Sequence, residues 1–552
     1  MKTSAFPKSA ILAIAPILAI SPLRSGHPSV DRGAFIMVQR GDTAAIERFV
    51  RTPDSISVDL TIKMQGRFLY VAHTLPDFSI DRVVIQYFMA NAPLDATPAW
   101  TSVLTLQGDD IVAEIGGGAQ KQTQRLKTAV GAVMLPALSV TAVEQLTMKQ
   151  RRASEAMNLA VFATSGGITA MASVTPLGAD SIIVATLGDE SRLSVDRAGH
   201  ILGGSTPSSG MIISRVSEEV ASKLALDKPD YSAPRGAAYT AEEVNLPGPA
   251  GTTLGGTLTL PRGASSPVPA VITITGSGQQ DRDEFTPVAG GYRPFRQVAD
   301  TLSTRGIAVL RLDDRGIGSS NGNPMTSTSA DFADDIRAAV TYLQSRREID
   351  PRRIALLGHS EGAIIAPMVA ANDNRIKAIV LLAGPADDGR KIIEYQQRYQ
   401  IDHDPAVAPD TRPATYKMAA ATLDSAAALN PWLKFFLAYA PDITARKVKV
   451  PALILQGATD RQVPVEQAEK LATAIRSDGN RDVTVRVFPG LDHLFLPDPE
   501  GNPANYSRLT SNKIDAGVLG AVADWLVDRL VAGVTRSGRL RDPMRPGIRP
   551  AP

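Results

Sequence analysis

The 552-residue chain contains no cysteine, which excludes disulfides and thiolate metal sites and leaves redox chemistry silent about the compartment. It has little net charge: 58 basic against 56 acidic residues give +2, no reason to expect nucleic acid or another polyanion as partner. It also lacks a long apolar run near its start. Lys2 and Lys8 precede Ala10 to Ile20, eleven residues followed by Ser21-Pro22. Eleven residues are too few to cross a bilayer, and the layout is that of a secretory signal peptide over residues 1–30. The expectation is export, periplasmic or secreted, with no stable membrane span once the signal is removed. A buried amino-terminal helix is the alternative.

What the chain does contain is enough for two or three domains: 44% hydrophobic and 21% charged residues, the balance of a globular protein. From residue 31 to 230 the texture is that of an antiparallel β-rich domain. Ser55 to Thr74 alternates apolar and polar residues around Gly66 and reads as a hairpin. Further strands are expected at Val83–Met89, Ser102–Leu106, Ile111–Ile115, and in a meander from Leu159 to Asp196, with a last hairpin turning at Arg197–Gly199. Lys121 to Arg152 is the main helical candidate. His73 and His200 are isolated here, so no metal site is expected, and the domain reads as a scaffold, gate or attachment unit without a nameable ligand.

Lys228 to Ala237, with Pro229, Pro234 and Gly236, is the expected linker. Beyond it the period changes: apolar strand-like runs such as Ala270–Thr275, Ala308–Leu312, Ile354–Leu357, Ala378–Leu382 and Ala452–Leu455 alternate with amphipathic segments. This predicts a doubly wound α/β domain over 240–532, built on a mainly parallel sheet covered on both faces. Chemistry in such sheets collects at the carboxyl ends of strands.

One such end carries Gly358-His359-Ser360-Glu361-Gly362, between the run Ile354–Leu357 and a helix-prone segment to Ala371. A strand, a sharp turn carrying serine and then a helix is the setting in which G-x-S-x-G marks a nucleophile. The turn strains the serine backbone, so its neighbours two residues away must be small. A second match, Gly318-Ser319-Ser320-Asn321-Gly322, is followed by Pro324 and a Ser/Thr-rich stretch and reads as a loop.

A serine hydroxyl needs a base to take its proton and a third group to orient that base. The chain has six histidines. His27, His73 and His200 precede the α/β domain, and His359 lies inside the turn and should point away. His403 lies in a Pro/Asp-rich insertion, which leaves His493, just after the last predicted strand; a surface-loop histidine is its alternative. Asp460, after the run Leu453-Ile454-Leu455, is the choice of orienting acid, and Asp492 is too close to His493 in sequence to serve. The oxyanion of a tetrahedral intermediate requires backbone donors: the amides of Glu361 and of Ser277, with Gln279 as fallback. The charged runs Asp281–Glu284 and Asp313-Asp314-Arg315 read as structural networks. No metal or cofactor is expected.

Residues 240–532 resemble the α/β-hydrolase superfamily, and within it a branch of bacterial, often exported, carboxylesterases. The resemblance rests on Gly276-Ser277-Gly278-Gln279-Gln280-Asp281-Arg282-Asp283-Glu284, Asp313-Asp314-Arg315-Gly316-Ile317-Gly318-Ser319-Ser320 and Gly358-His359-Ser360-Glu361-Gly362. Gln279 stands where the branch has proline and Asp492 where it has asparagine. The resemblance implies a carboxylic ester as the small-molecule substrate, a catalytic set of Ser360, Asp460 and His493, and a helical cap, placed at about 387–449, in which Trp432, Phe435, Phe436 and Tyr439 are partly core and partly pocket. It says nothing about oligomeric state or the amino-terminal domain. Two other readings stay open: a serine peptidase of the prolyl-oligopeptidase type, and a binding protein that keeps the fold. The tail 536–552, rich in arginine and proline, is expected to be disordered.

Overall fold

The computed structural model describes residues 30–531, apart from 91, 94, 118–119, 137, 165–166, 187–188, 227, 265–266 and 405–406. The expected signal peptide and the 536–552 tail lie outside the described residues.

Two sheets organise the chain. The first has fifteen strands, with Asp31–Gln39 at its centre. On one side the strands follow chain order out to Gln120–Lys127; on the other they run back from Met211–Val216 to Val133–Leu135. Neighbours are antiparallel except for the last pair, where Val133–Leu135 runs parallel to Met157–Ala163. The segment 121–152, expected to be mainly helical, is corrected: its first part is the edge strand ending at Lys127, and the helix is Val140–Ala153. Polar side chains such as Gln122, Gln124 and Arg125 lowered the apparent strand signal, because an edge strand can leave them in water. Strands Asp31–Gln39 and Asp42–Arg51 also went unread.

The helix Val140–Ala153 packs into the sheet's core, with Leu146 and Val140 against a cluster that includes Phe35, Phe49 and Phe162. Its amino end is held by a buried carboxylate: Val140 N–H donates to Glu47 Oε2 at 2.7 Å and Thr141 N–H to Oε1 at 3.1 Å. Negative charge there complements the helix dipole. One turn on, buried Glu144 accepts from Arg215 at 2.8 Å and from the Ile201 amide at 2.6 Å.

The second sheet has eight strands: β1 (Tyr239–Pro247), β2 (Thr253–Pro261), β3 (Val268–Ile274), β4 (Ala308–Leu312), β5 (Ile349–His359), β6 (Ile376–Leu382), β7 (Ala452–Gly457) and β8 (Val483–Phe488). Their order is β1-β2-β4-β3-β5-β6-β7-β8. Only β1–β2 and β2–β4 pair antiparallel; the remaining pairs are parallel. β4 and β7 are buried along their whole length, as strands covered on both faces must be. One core fills the face that carries helices 329–345, 362–370 and 466–477, and another the face that carries 294–304 and 516–530. Between β6 and β7 lie four helices, Gly389–His403, Arg412–Leu429, Pro431–Ala438 and Pro441–Ala445. No helix among the described residues is long and apolar enough to cross a membrane.

Candidate active site

The turn after β5 places Ser360 at φ +53°, a region that non-glycine residues seldom adopt. Its amide donates to Leu382 O on β6 at 2.9 Å. The two glycines have steric reasons to be there. A Cβ on Gly358 would meet Gly362 O at 2.0 Å, and one on Gly362 would meet Ile274 O at 2.1 Å. The strained turn therefore exists only because strand and helix cross without side chains between them. The second motif match is a loop in which the buried Ser320 Oγ donates to Asp313 O at 2.7 Å.

Asp460 follows β7 and His493 follows β8, and the structure brings them together. His493 Nδ1–H donates to Asp460 Oδ2 at 2.8 Å, with both side chains almost wholly buried. Asp460 is fixed by three further donors: Gln456 Nε2 to Oδ2 at 2.8 Å, and the amides of Gln462 and Val463 to Oδ1, each at 2.8 Å. A carboxylate so held fixes Nδ1 of His493 as the donor and turns Nε2 away from Asp460. Ser360 Oγ forms no hydrogen bond among the described residues.

Asp492 has a different task. Its Oδ1 accepts from the amides of Leu494 and Leu496 at 2.9 and 2.8 Å, which shapes the loop that carries His493. Burial pushes its carboxyl up to about 6. His403 sits at the exposed end of a cap helix with its Nδ1 on Tyr399 O at 2.7 Å, and His73 and His200 pair with Asp81 and Asp196. None of the three joins the site.

The amides of Ser277, just past β3, and Glu361 donate no hydrogen bond among the described residues. Gly276, next to Ser277, is pinned by its own amide, which donates to Glu284 Oε1 at 2.7 Å. A Cβ on Gly276 would lie 3.2 Å from Ser360 Cβ, so this backbone runs directly against the turn that carries Ser360. Gln279 instead lines a cavity facing the amino-terminal sheet.

Sequence reasoning missed two features. His359 does not merely point away: its Nδ1–H donates to Glu284 Oε1 at 2.9 Å and its Nε2–H to His493 O at 3.0 Å. Its ring centroid lies 4.8 Å from that of His493. Burial works against charge on His359, yet Glu284 outweighs it and pushes the imidazole up to about 8. A cation paired with Glu284 thus joins the Gly276 loop to the histidine loop. The second feature is Glu361, whose buried carboxylate accepts from Trp432 Nε1 at 2.8 Å and from Ser329 Oγ at 2.5 Å. Burial holds its carboxyl above the usual range, against the pull of Ser329, Trp432 and Ser277. Trp432 is thereby a strut from the helical insertion to the turn that carries Ser360; Phe436 is buried core, while Phe435 and Tyr439 pack partly buried against that core. The only available signal was the pairing of acidic and indole side chains, which no motif spacing encodes.

Comparison with known proteins adds to this geometry. The sequence model for the family described as "Serine aminopeptidase, S33" matches residues 289–500. Esterase EstD of Thermotoga maritima is 27% identical over 312 residues, covering 56% of this chain and 72% of that protein. An uncharacterized peptidase, YuxL, of Bacillus subtilis is 25% identical over 217 residues, covering 37% of this chain and 28% of that protein. The structure of esterase Pf2001 from Pyrococcus furiosus aligns over 55% of this chain and 95% of that chain, at 17% identity and a TM-score of 0.38. With an eight-stranded sheet in the order 1-2-4-3-5-6-7-8 and a serine on the turn after β5, the chain is a hydrolase of the α/β-hydrolase superfamily.

Proposed function

We propose that the protein is an exported serine hydrolase that cleaves carboxylic esters through an acyl-enzyme on Ser360. The observation that carries this reading is the Asp460–His493 pair at 2.8 Å, at the carboxyl edge of the sheet that also presents Ser360. His493 Nε2 takes the proton of Ser360 Oγ as the hydroxyl attacks the ester carbonyl. Asp460 stabilises the resulting imidazolium through Nδ1–H. The amides of Ser277 and Glu361, both free to donate, receive the oxyanion. His493 then returns the proton to the departing alcohol, and the same residue activates the water that releases the acid. The esterase relative supports an ester over other acyl substrates, and the Lys2-to-Ile20 pattern supports export.

Turnover of p-nitrophenyl esters of increasing chain length by the wild type and by Ser360→Ala tests the reading. The substitution lowers kcat by at least about 10³-fold; retained turnover would end the mechanism. A peptidase reading is favoured by the aminopeptidase description of the matching family. Efficient hydrolysis of aminoacyl-anilides with negligible activity on esters would establish it instead.

A further inference from the structure

Between the fifteen-stranded sheet and the hydrolase domain lies a cavity of about 700 Å³. That is the size of a small-molecule site, whereas protein interiors tolerate few voids larger than a water molecule. Its walls are side chains from distant strands and the buried helix, among them Met37, Ile62, Leu135, Val143, Leu193 and Met211. The hydrolase domain supplies the rest, including Phe285, Val288 and Ile317. Phe285 is the one aromatic side chain among the described lining residues, so the walls favour an aliphatic occupant over a stacked ring. Water confined against such walls is readily displaced by apolar matter, and the methionines can adjust to an irregular chain.

Polar and charged side chains also line the cavity, among them Gln39, Arg40, Asp42, Lys63 and Arg293. Exposed Arg40 lines the cavity and donates to Val288 O and Ser507 O, each at 2.9 Å, clamping the two domains together. Lys63 pairs with Asp42 at 2.8 Å, and Arg293 lies 3.3 Å from Asp281. Lining acids and bases are therefore mostly paired with one another, and exposed Arg40, Asp42 and Gln279 mark the solvent side. Gln279, Gln280 and Asp281 belong to the loop that begins at Ser277. The cavity thus ends against the back of the loop that carries one proposed oxyanion donor.

We propose that this cavity binds a linear alkyl chain, supplied either by a long-chain ester or by the fatty acid released from one. Only the naming of these two sources rests on the ester-hydrolase reading; the site itself needs neither Ser360 nor His493. The amino-terminal domain is then a chain-binding module completed by the hydrolase domain.

The test uses the full chain carrying Ser360→Ala, so that binding is read whether or not Ser360 is the nucleophile. Fluorescence of bound cis-parinaric acid is displaced by alkyl carboxylates and, separately, by alkyl glycerol monoethers of eight to sixteen carbons. Affinity rises by about fourfold per added CH₂ until the cavity is full. Preference for the carboxylates identifies the acid as the occupant, and preference for the uncharged ethers identifies the ester. Met211→Trp and Val143→Trp weaken binding by at least about tenfold, and with Ser360 restored they leave p-nitrophenyl acetate turnover within about twofold of wild type. Absence of saturable binding, of chain-length dependence, or of any effect from a folded cavity-filling variant overturns the proposal. Should both variants fail to fold, photolabelling with a diazirine fatty acid decides. Labels on segments 37–65 and 133–143 support the site, and labels confined to the 387–449 cap refute it.

Discussion

His359 and Asp492 flank the proposed catalytic residues, and each carries a pH signature. For His359 the folded imidazole titrates at about 8, above its ordinary 6.5, so its stabilising contribution is complete below 6.5 and lost as pH rises through 8. The shift corresponds to about 2 kcal/mol. Urea unfolding of wild type and His359→Gln should show the wild-type advantage shrinking by about that amount between pH 6 and 9; a constant difference would mean that His359 is neutral in the fold. Asp492 works in the opposite practical sense. Its carboxyl is pushed up to about 6, so the fold favours the protonated form and loses stability as pH rises from about 4 through 6. Asp492→Asn removes that penalty and should stabilise by up to about 3 kcal/mol at pH 8 and by nothing near pH 3. It should also retain esterase activity, whereas Asp460→Asn, which alters the orienting group itself, loses about 10³- to 10⁴-fold in kcat. Equal losses for the two would remove the distinction drawn between them. Sequence alone separated these two aspartates by the place of Asp460 after the run Leu453-Ile454-Leu455 and by the adjacency of Asp492 to His493. The structure adds the physical reason: Asp460 faces the ring, while Asp492 holds two amides of the loop.

At the scale of elements, the nucleophile turn is the best determined part of the chain. Its glycines stand where β5 and the following helix touch with no room for a methyl group. Gly358→Ala would force a Cβ to 2.0 Å from a backbone oxygen, and neither backbone segment is free to yield. The expected cost exceeds about 3 kcal/mol, seen as insoluble or inactive protein; a well-folded, active variant would show that the turn is softer than its geometry implies. This element was legible because strand, turn and helix each leave a sequence mark within a dozen residues. The helix Val140–Ala153 was legible only in part. Its partners, Glu47 and strands more than ninety residues away in sequence, determine where it starts, and the polar edge strand before it resembles a helix surface. The cap was readable as an insertion between β6 and β7, but the hydrogen bond from Trp432 to Glu361 was not. An indole facing a buried carboxylate is a tertiary accident of spacing that no period reveals.

For the whole molecule, both domain classes were legible: the strands expected between Ser55 and Ile115 and between Leu159 and Asp196 lie in the fifteen-stranded sheet, whereas strands Asp31–Gln39 and Asp42–Arg51 and the polar edge Gln120–Lys127 went unread. Strands covered on both faces, such as β4 and β7, must be continuously apolar, and that pattern survives without knowledge of neighbours. The strands of the fifteen-stranded sheet carry weaker alternation than β4 and β7, interrupted by polar edges such as Gln122 to Arg125. Its contacts with the hydrolase domain include Arg40, bonded to Val288 O and Ser507 O, and the cavity it borders. The central claim, however, concerns Ser360. Mass spectrometry of enzyme quenched during turnover of a slowly deacylated p-nitrophenyl ester tests it most directly. The account predicts one acyl group added to the peptide containing Gly358–Gly362, absent from Ser360→Ala; turnover without that adduct, or an adduct on another residue, would contradict it.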